Sequence, residues 1–348
     1  GSQPSITNTL SGPSGVSYAQ VNVSSDGRFI IGGPMVFGTT FNPSGVLSIP
    51  EKIDGNWVGG IGQSAFINCD ELGSVVTPGW VGRDAFAECS KLGNAVFLWS
   101  SGSIGEGAFL NAGYLPAGAE GVPQLLVCHT GSQPSITNTL SGPSGVSYQQ
   151  VSVSDDGRFI FSGGGLIGTT FNPSGVFKIP DTTGTNAITA IGQSAFINCD
   201  DIGSVVIPPS VSSIGSLAFA DSGKLGKAVL LGSPSVEWGA FLGAGWLPDG
   251  ETLDSRPLLV CYTGSQPSIS NSITGEYSYG VSYQQVSVSD DGLYILSGNN
   301  TLAGSTFNPS GVFKIPDTTG TNTITAIGQF AFINCDDIGI VLIPPSIG

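Results

Sequence analysis

The chain has 348 residues, among them 53 Gly, 22 Pro, 10 Lys plus Arg, 25 Asp plus Glu and a single His, for a formal net charge of -15. Cations so sparse cannot form a surface that displaces counterions from phosphates, so nucleic acid is excluded as a partner. A hydrophobic content of 40% with only 10% charged residues describes a folded, Gly-rich globule of extracellular style rather than a disordered chain. No apolar run reaches the roughly 18 residues needed to span a bilayer, so no membrane span is expected in this segment.

Along the chain the first feature is repetition. Residues 1–18 return identically as 131–148 and in varied form from 264, which divides the sequence into units at 1–130, 131–263 and 264–348. Because Gly1-Ser2-Gln3-Pro4-Ser5 recurs internally, the start reads as native sequence. Ile343-Pro344-Pro345-Ser346 matches Ile207-Pro208-Pro209-Ser210 in mid-unit, so the third unit reads as cut short and a longer array is expected. The units hold 4 cations against 9 acids, 5 against 10 and 1 against 6, a net -5 each, so none is electrostatically special.

Each unit opens with a polar stretch (residues 7–15 in the first) followed by a hairpin signal. Val151-Ser152-Val153-Ser154 and Arg158-Phe159-Ile160-Phe161 alternate polar and apolar side chains around Asp155-Asp156-Gly157. Asp26-Gly27 and Asp291-Gly292 mark the same turn in the other units. Such a hairpin would close the open end of a coil stack, which otherwise exposes core and strand edges. Propeller blades also use hairpins, but a blade takes about 40 to 50 residues of them, and each unit has one. Variable loops follow at 32–38, 163–168 and 298–304, then apolar strands ending at Ile49-Pro50, Ile179-Pro180 and Ile315-Pro316.

Next comes a shorter repeat. Ile61-Gly62-Gln63-Ser64-Ala65-Phe66-Ile67-Asn68-Cys69 is echoed by Val81-Gly82-Arg83-Asp84-Ala85-Phe86-Ala87-Glu88-Cys89 and by Ile104-Gly105-Glu106-Gly107-Ala108-Phe109. The rungs Phe66, Phe86 and Phe109 step by 20 and 23 residues, Phe196, Phe219 and Phe241 by 23 and 22, and Phe332 is the one rung of the third unit. Steps of about 20 to 29 residues are those of leucine-rich-repeat coils. Between rungs, β-branched runs such as Ser204-Val205-Val206-Ile207-Pro208 and Ile340-Val341-Leu342-Ile343-Pro344 predict one parallel strand per coil, ended by Pro. The Ala-Phe segment would be an irregular or short helical return whose Phe fills the interior.

The pattern from Ile191 to Gly215, Ile-Gly-x-x-Ala-Phe-x-x-Cys-x-x-Ile-x-x-Val-x-Ile-Pro-x-x-Val-x-x-Ile-Gly, resembles the BspA-type leucine-rich-repeat family. The hairpin, variable loop and Ile-Pro strand resemble that family's amino-terminal lead-in. The resemblance implies secretion and a surface adhesion or structural role, with no catalytic residues to carry over. The chain departs from the family pattern in holding about three rungs per block, each block reopened by a fresh lead-in. The predicted fold is therefore mainly β: tandem short leucine-rich-repeat solenoid blocks of about three coils, each opened by a capping β-hairpin. Leu125-Leu126-Val127-Cys128-His129-Thr130 and Leu258-Leu259-Val260-Cys261-Tyr262-Thr263 run directly into the next unit, so consecutive units are expected to touch and form a stiff rod.

Residues with chemical potential fare poorly as sites. Cys69, Cys89, Cys199 and Cys335 share one place in the rung, where Ser222 stands in for Cys89, and read as small buried side chains. A disulfide between Cys69 and Cys89, and cross-links from Cys128 or Cys261 to a neighbour, are the alternatives. His129 is replaced by Tyr262 at the matching place, so no His-based catalysis belongs to the repeat, and the position reads as a tolerant surface or edge site. The acid pairs Asp70-Glu71, Asp200-Asp201, Asp336-Asp337, Asp155-Asp156 and Asp290-Asp291 read as solvated turns, with calcium held between stacked coils as the functional alternative. No other cofactor is expected. Asn22 and Asn299 begin glycosylation sequons. Trp57, Trp80, Trp99 and Trp238 could stack on sugars if exposed, whereas Tyr114 and Trp246 look like core plugs.

Near-identical units without a unique chemical constellation predict a non-enzymatic extracellular structural protein, part of a filament, sheath, surface layer or flagellar-hair-like appendage, with neighbouring units and copies of itself as partners. The alternative is a surface adhesin that holds a host protein or glycan through the solenoid face or the variable loops. A polysaccharide-active enzyme comes third.

Overall fold

The computed structural model describes residues 20–99, 102–113, 124–134, 145–245, 258–269, 272–273, 277–278, 281–298, 300–333 and 335–348. Tyr114, Trp246, Asn299 and the polar stretch 7–15 lie outside them. The described residues form strands and turns without a helix, so none offers a helix long and apolar enough to cross a membrane.

Runs of β-branched residues build the longest strands. Gly45–Ser48, Leu72–Thr77, Asn94–Phe97 and Leu125–His129 pair side by side, all parallel, as strands separated by a full coil must. The sheet gains a fifth member from the second sequence unit, Val146–Gln150, parallel to Leu125–His129. The second unit repeats this with Gly175–Lys178, Ile202–Ile207, Lys227–Leu230 and Leu258–Tyr262, completed by Val281–Gln285 of the third. In the third unit Gly311–Lys314 pairs with Ile338–Leu342.

A second side of each coil is a ladder of two-residue strands. Met35–Thr39, Gly60–Ile61 and Trp80–Val81 are parallel neighbours, extended by the bridge from Val81 to Ile104. The ladder is headed by the antiparallel hairpin of Asn22–Val23 and Phe29–Gly32, the latter also antiparallel to Met35–Thr39. At the hairpin turns Gly27, Gly157 and Gly292 take φ of 74°, 72° and 73°, left-handed values that Gly adopts without a Cβ clash. Each coil thus contributes two strands where the sequence predicted one. The extra strand spans two residues, too few to leave an alternating pattern.

The Ala-Phe segment forms the third side, as turns. Residues two before and two after the Phe adopt positive φ, 52° at Ser64 and 57° at Asn68, 51° at Ser194 and 55° at Asn198. These kinks turn the Phe inward and leave its amide free to reach the next coil. Phe66 N donates to Ala85 O at 2.8 Å, Phe86 N to Ala108 O at 2.7 Å, and Phe196 N to Ala218 O at 2.7 Å. The rings stack accordingly. Phe66, Phe86 and Phe109 are 5.4 and 5.3 Å apart between centroids, and Phe196, Phe219 and Phe241 5.2 Å apart at each step. All six are buried, each removing surface worth roughly 1.5 to 3 kcal/mol. Phe332 is half-buried and meets Phe313 edge-on at 5.1 Å.

The alternation of the long strands gives each sheet two apolar faces. Leu47, Val75, Ala95 and Val127 stand in register and point into the first unit's own core. The residues between them point outward, and what covers them positions the site described next.

Candidate interaction surface

Val46, Val76, Val96, Leu126 and Cys128 on the outer face of the first sheet are buried in one cluster with Val151, Ile160, Ile167, Ala195 and Cys199 of the second unit. One unit further on, Val176, Val206, Val229, Leu259 and Cys261 are buried with Val286, Ile295, Ala303 and Cys335 of the third. Each residue of the second set occupies the sequence position of its counterpart in the first. The same contact is therefore made twice: the hairpin and Ala-Phe side of one unit, its leading face, lies flat on the outer sheet face, or trailing face, of the unit before.

Polar groups fix the register of this contact. Val46 N donates to Asn172 Oδ1 at 3.1 Å, and Val176 N to Asn308 Oδ1 at 3.2 Å. Each Asn is held by a carboxylate behind it, Asn172 Nδ2 donating to Asp201 at 2.8 Å and Asn308 Nδ2 to Asp337 at 3.1 Å. Asn198 Nδ2 donates to the Glu71 carbonyl. Gly73 makes the close approach possible, because a Cβ there would fall 2.0 Å from Ile197 O.

The two contacts differ at several positions, Ile167 against Ala303 and Ser194 against Phe330 among them, and most in polarity where Asn94 corresponds to Lys227. Asn94 donates its Nδ2 to Ser194 O at 2.7 Å in the first. In the second, Lys227 donates its Nζ to Ala303 O at 2.6 Å and Ala331 O at 3.2 Å. Burial pushes the Lys227 ammonium down to about 8.

The remaining residues singled out in the sequence do not gather into one site. All six Cys are free thiols, five of them buried and Cys69 half-buried. Burial pushes Cys89 and Cys128 up to about 12. Cys89 Sγ donates to Phe66 O at 3.1 Å, and Ser222 Oγ makes the same 3.1 Å bond to Phe196 O, which explains the Cys-to-Ser exchange. Cys128 and Cys261 lie under the following unit and not at a free edge.

His129, expected at a surface or edge site, is buried at the end of a strand within the sheet; its Nδ1 is 2.8 Å from Gly131 O. The acid pairs take separate partners: Asp70 accepts from Ser90 Oγ at 2.6 Å, Glu71 meets Lys91 at 3.1 Å, and Asp200 accepts from Gly223 N at 2.7 Å. Ser90 holds the Asp70 carboxyl below its usual value, whereas burial raises that of Asp200. Asp156 accepts from Ser154 Oγ at 2.5 Å within its hairpin turn. Among the described residues no three or more His, Cys, Asp or Glu converge as metal ligands.

Trp57 and Trp80 are exposed, Trp238 is half-buried, and Trp99 is buried against Phe97 at 4.6 Å between centroids. Asn22 is exposed on its short strand. Sequence reasoning missed the outer sheet face. A signal was present: Val75-Val76 and Val205-Val206-Ile207 are apolar on consecutive positions, as in strands covered on both faces.

Coils joined by three lateral ladders around a stacked Phe interior define a β-solenoid repeat protein. Residues 48–116 and 174–238 match the model of the BspA type leucine rich repeat region in 6 copies, and these tracts belong to that family. No curated protein matches the chain. Among solved structures it is similar to a leucine rich cell surface protein from Faecalibacterium prausnitzii, with 16% identity, 95% of each chain covered and a TM-score of 0.24. It is also similar to the pneumococcal vaccine antigen PcpA, with 11% identity, 78% of this chain and 95% of that one covered, and a TM-score of 0.26.

Proposed function

We propose that the chain is an extracellular surface repeat protein with a structural, non-catalytic role, in which near-identical units stack into a rod that forms or decorates a surface assembly. The observation that carries this reading is the contact between units, made twice with the same positions: Val46 with Asn172, and Val176 with Asn308. A surface whose function is to hold the next copy of itself is what an axial structure requires. The family resemblance supports the secreted, surface-associated setting. Asp70, Asp156, Asp200, Asp201 and Asp337 are taken up by hydrogen bonds within turns, between coils or at that contact, which suits a structural role. The units follow the sequence repeat, 1–130, 131–263 and 264–348, the second and third each lending a long strand to the sheet before it.

Immunolabelling and negative-stain electron microscopy of native source material test the reading. Surface-attached fibres or layers with an axial repeat of one or two units are expected. Label confined to the cell interior, or hydrolysis of glycans by the purified chain, overturns it.

A second reading, an adhesin, has one specific observation in its favour. Trp57 and Trp80 are 66% and 44% exposed in the first unit, where the second has Ala187 and Ser213. Exposed indole faces suit the apolar faces of sugar rings. Glycan-array binding that is lost in Trp57→Ala and Trp80→Ala, without regular assemblies on the cell, favours the adhesin.

A further inference from the structure

Resting on the stacked-unit reading, we infer that the contacts between units carry a pairing rule. The trailing face built around Lys227 accepts a unit with a small side chain at the place of Ala303 and rejects one with Ile167 there, while the face built around Asn94 selects the reverse. The order of near-identical units is thereby written into the contact itself.

Asn94 and Lys227 hold one place on the outer sheet face, in register with Ser74 and Leu126 in the first unit and with Ser204 and Leu259 in the second. Both are buried. The short Asn94 side chain reaches only as far as Ser194 O, whereas the longer Lys227 runs on to Ala303 O and Ala331 O. The Lys227 ammonium lies so close over the strand of the third unit that a Cβ on Gly304 would fall 2.7 Å from its Nζ.

The incoming faces vary in the opposite sense. Phe37, Ile167 and Ala303 stand at one place in the three units. Ile167 is buried with Val96 and Leu126, and Ala303 with Val229 and Leu259, the corresponding residues of the next sheet. At the first boundary a short side chain on the sheet therefore meets a long one on the incoming unit. At the second a long side chain meets a short one.

Exchanging the units breaks both arrangements. Ile167 in the place of Ala303 would fill the space through which the Lys227 stem passes, and a stem pushed aside takes its ammonium from its acceptors. A buried ammonium without them is strongly disfavoured. Phe37 is excluded from the Lys227 face on the same ground. Ala303 in the place of Ile167 would leave a cavity over the Asn94 face. Clashes and stranded charges are how similar partners are told apart, and docking of the wrong neighbour is a characteristic failure of repeat proteins.

Alkylation of thiols in the 348-residue chain reads the two boundaries separately, because Cys128 lies under the second unit and Cys261 under the third. Where opening and closing are fast, each rate follows the fraction of time its boundary is open. Ala303→Ile is expected to speed alkylation of Cys261 about tenfold, which corresponds to about 1.4 kcal/mol of overpacking, and to leave Cys128 unchanged. In the Lys227→Asn background the same substitution should change the Cys261 rate by less than about twofold, since the stem it collides with is gone. The mirror pair keeps the test open should one variant fail to fold: Asn94→Lys speeds Cys128 about tenfold beside Ile167, and by less than about twofold in the Ile167→Ala background.

An equal factor for Ala303→Ile in the parent and in the Lys227→Asn background, or no acceleration in either, overturns the pairing rule. Such a result leaves the contact through Asn172 and Asn308, and the structural role, standing.

Discussion

Asn172 receives the amide of Val46 on its Oδ1 at 3.1 Å from the far side of a unit boundary, 126 residues along the chain. Its own Nδ2 is committed to Asp201, so the side chain is oriented before the units meet. Asn172→Leu strands the Val46 N–H in the contact, and an unsatisfied buried donor costs about 1 to 3 kcal/mol. Urea denaturation is expected to show that loss for Asn172→Leu and for Asn308→Leu. Asn42→Leu stays within about 0.5 kcal/mol of the parent, as for other exposed positions.

Lys227 brings an ammonium into the second contact with two backbone carbonyls for company. Its value falls from 10.5 to about 8 through burial, so between those limits the unfolded chain binds the proton that the folded chain has lost. Stability from this group therefore rises as pH climbs from about 8 toward 10.5. The buried thiols oppose it: burial raises them above 9.0, so they withdraw stability as pH rises past that point. Comparing parent with variant isolates the lysine. The stability of the parent relative to Lys227→Met, or to Lys227→Asn as in the first contact, is expected to rise between pH 7 and pH 9.5. Denaturation midpoints that differ equally at both pH values would sink this account.

The pairing of Cys89 with Phe66 O and of Ser222 with Phe196 O makes the two side chains interchangeable hydrogen-bond donors. Cys89→Ser should change stability by less than about 1 kcal/mol, whereas Ser222→Val removes the donor, leaves a buried carbonyl alone and costs about 1 to 3 kcal/mol. Thermal denaturation of the two variants separates this from a role for Cys89 in packing alone, which would rank them the other way.

The Phe columns predict a graded response. Phe86 and Phe219 are the middle rings of their stacks and fully buried, so Phe86→Ala and Phe219→Ala should each cost about 3 to 5 kcal/mol. Phe332 is half-buried, and its truncation should cost less. Equal losses at all three positions, read from urea midpoints, would contradict the columns as the source of the energy.

These rungs were legible in the sequence because Ala-Phe recurs at the coil period, and the hairpins because Asp-Gly sits between alternating runs; both signals are local. The two-residue strands such as Gly60–Ile61 were not legible, since two residues carry no period. Nor was the outer face carrying Val46, Val76 and Val96: its partner lies a whole unit away, and no short-range pattern says which neighbour covers a strand. Asn42, Asn172 and Asn308 illustrate the limit. Asn-Pro-Ser-Gly stands in all three units, and only the fold shows that two of these Asn reach into the preceding unit.

Thiol reactivity gives a direct view of the same burial. Cys69 is half-buried on the leading face of the first unit, whereas Cys89, Cys128, Cys199 and Cys261 are fully buried and Cys335 is 8% exposed. Because the thiolate is the reacting species, groups that are enclosed and also pushed upward, to about 12 at Cys128 and about 11 at Cys261 and Cys335, are protected twice. Iodoacetamide on dilute native protein at pH 7.5 is expected to modify Cys69 alone within minutes, and all six only after unfolding, as read by peptide mass spectrometry. Rapid native labelling of Cys128 or Cys261 would mean that the following unit does not lie on the sheet, and the contact through Asn172 and Asn308 would fall with it.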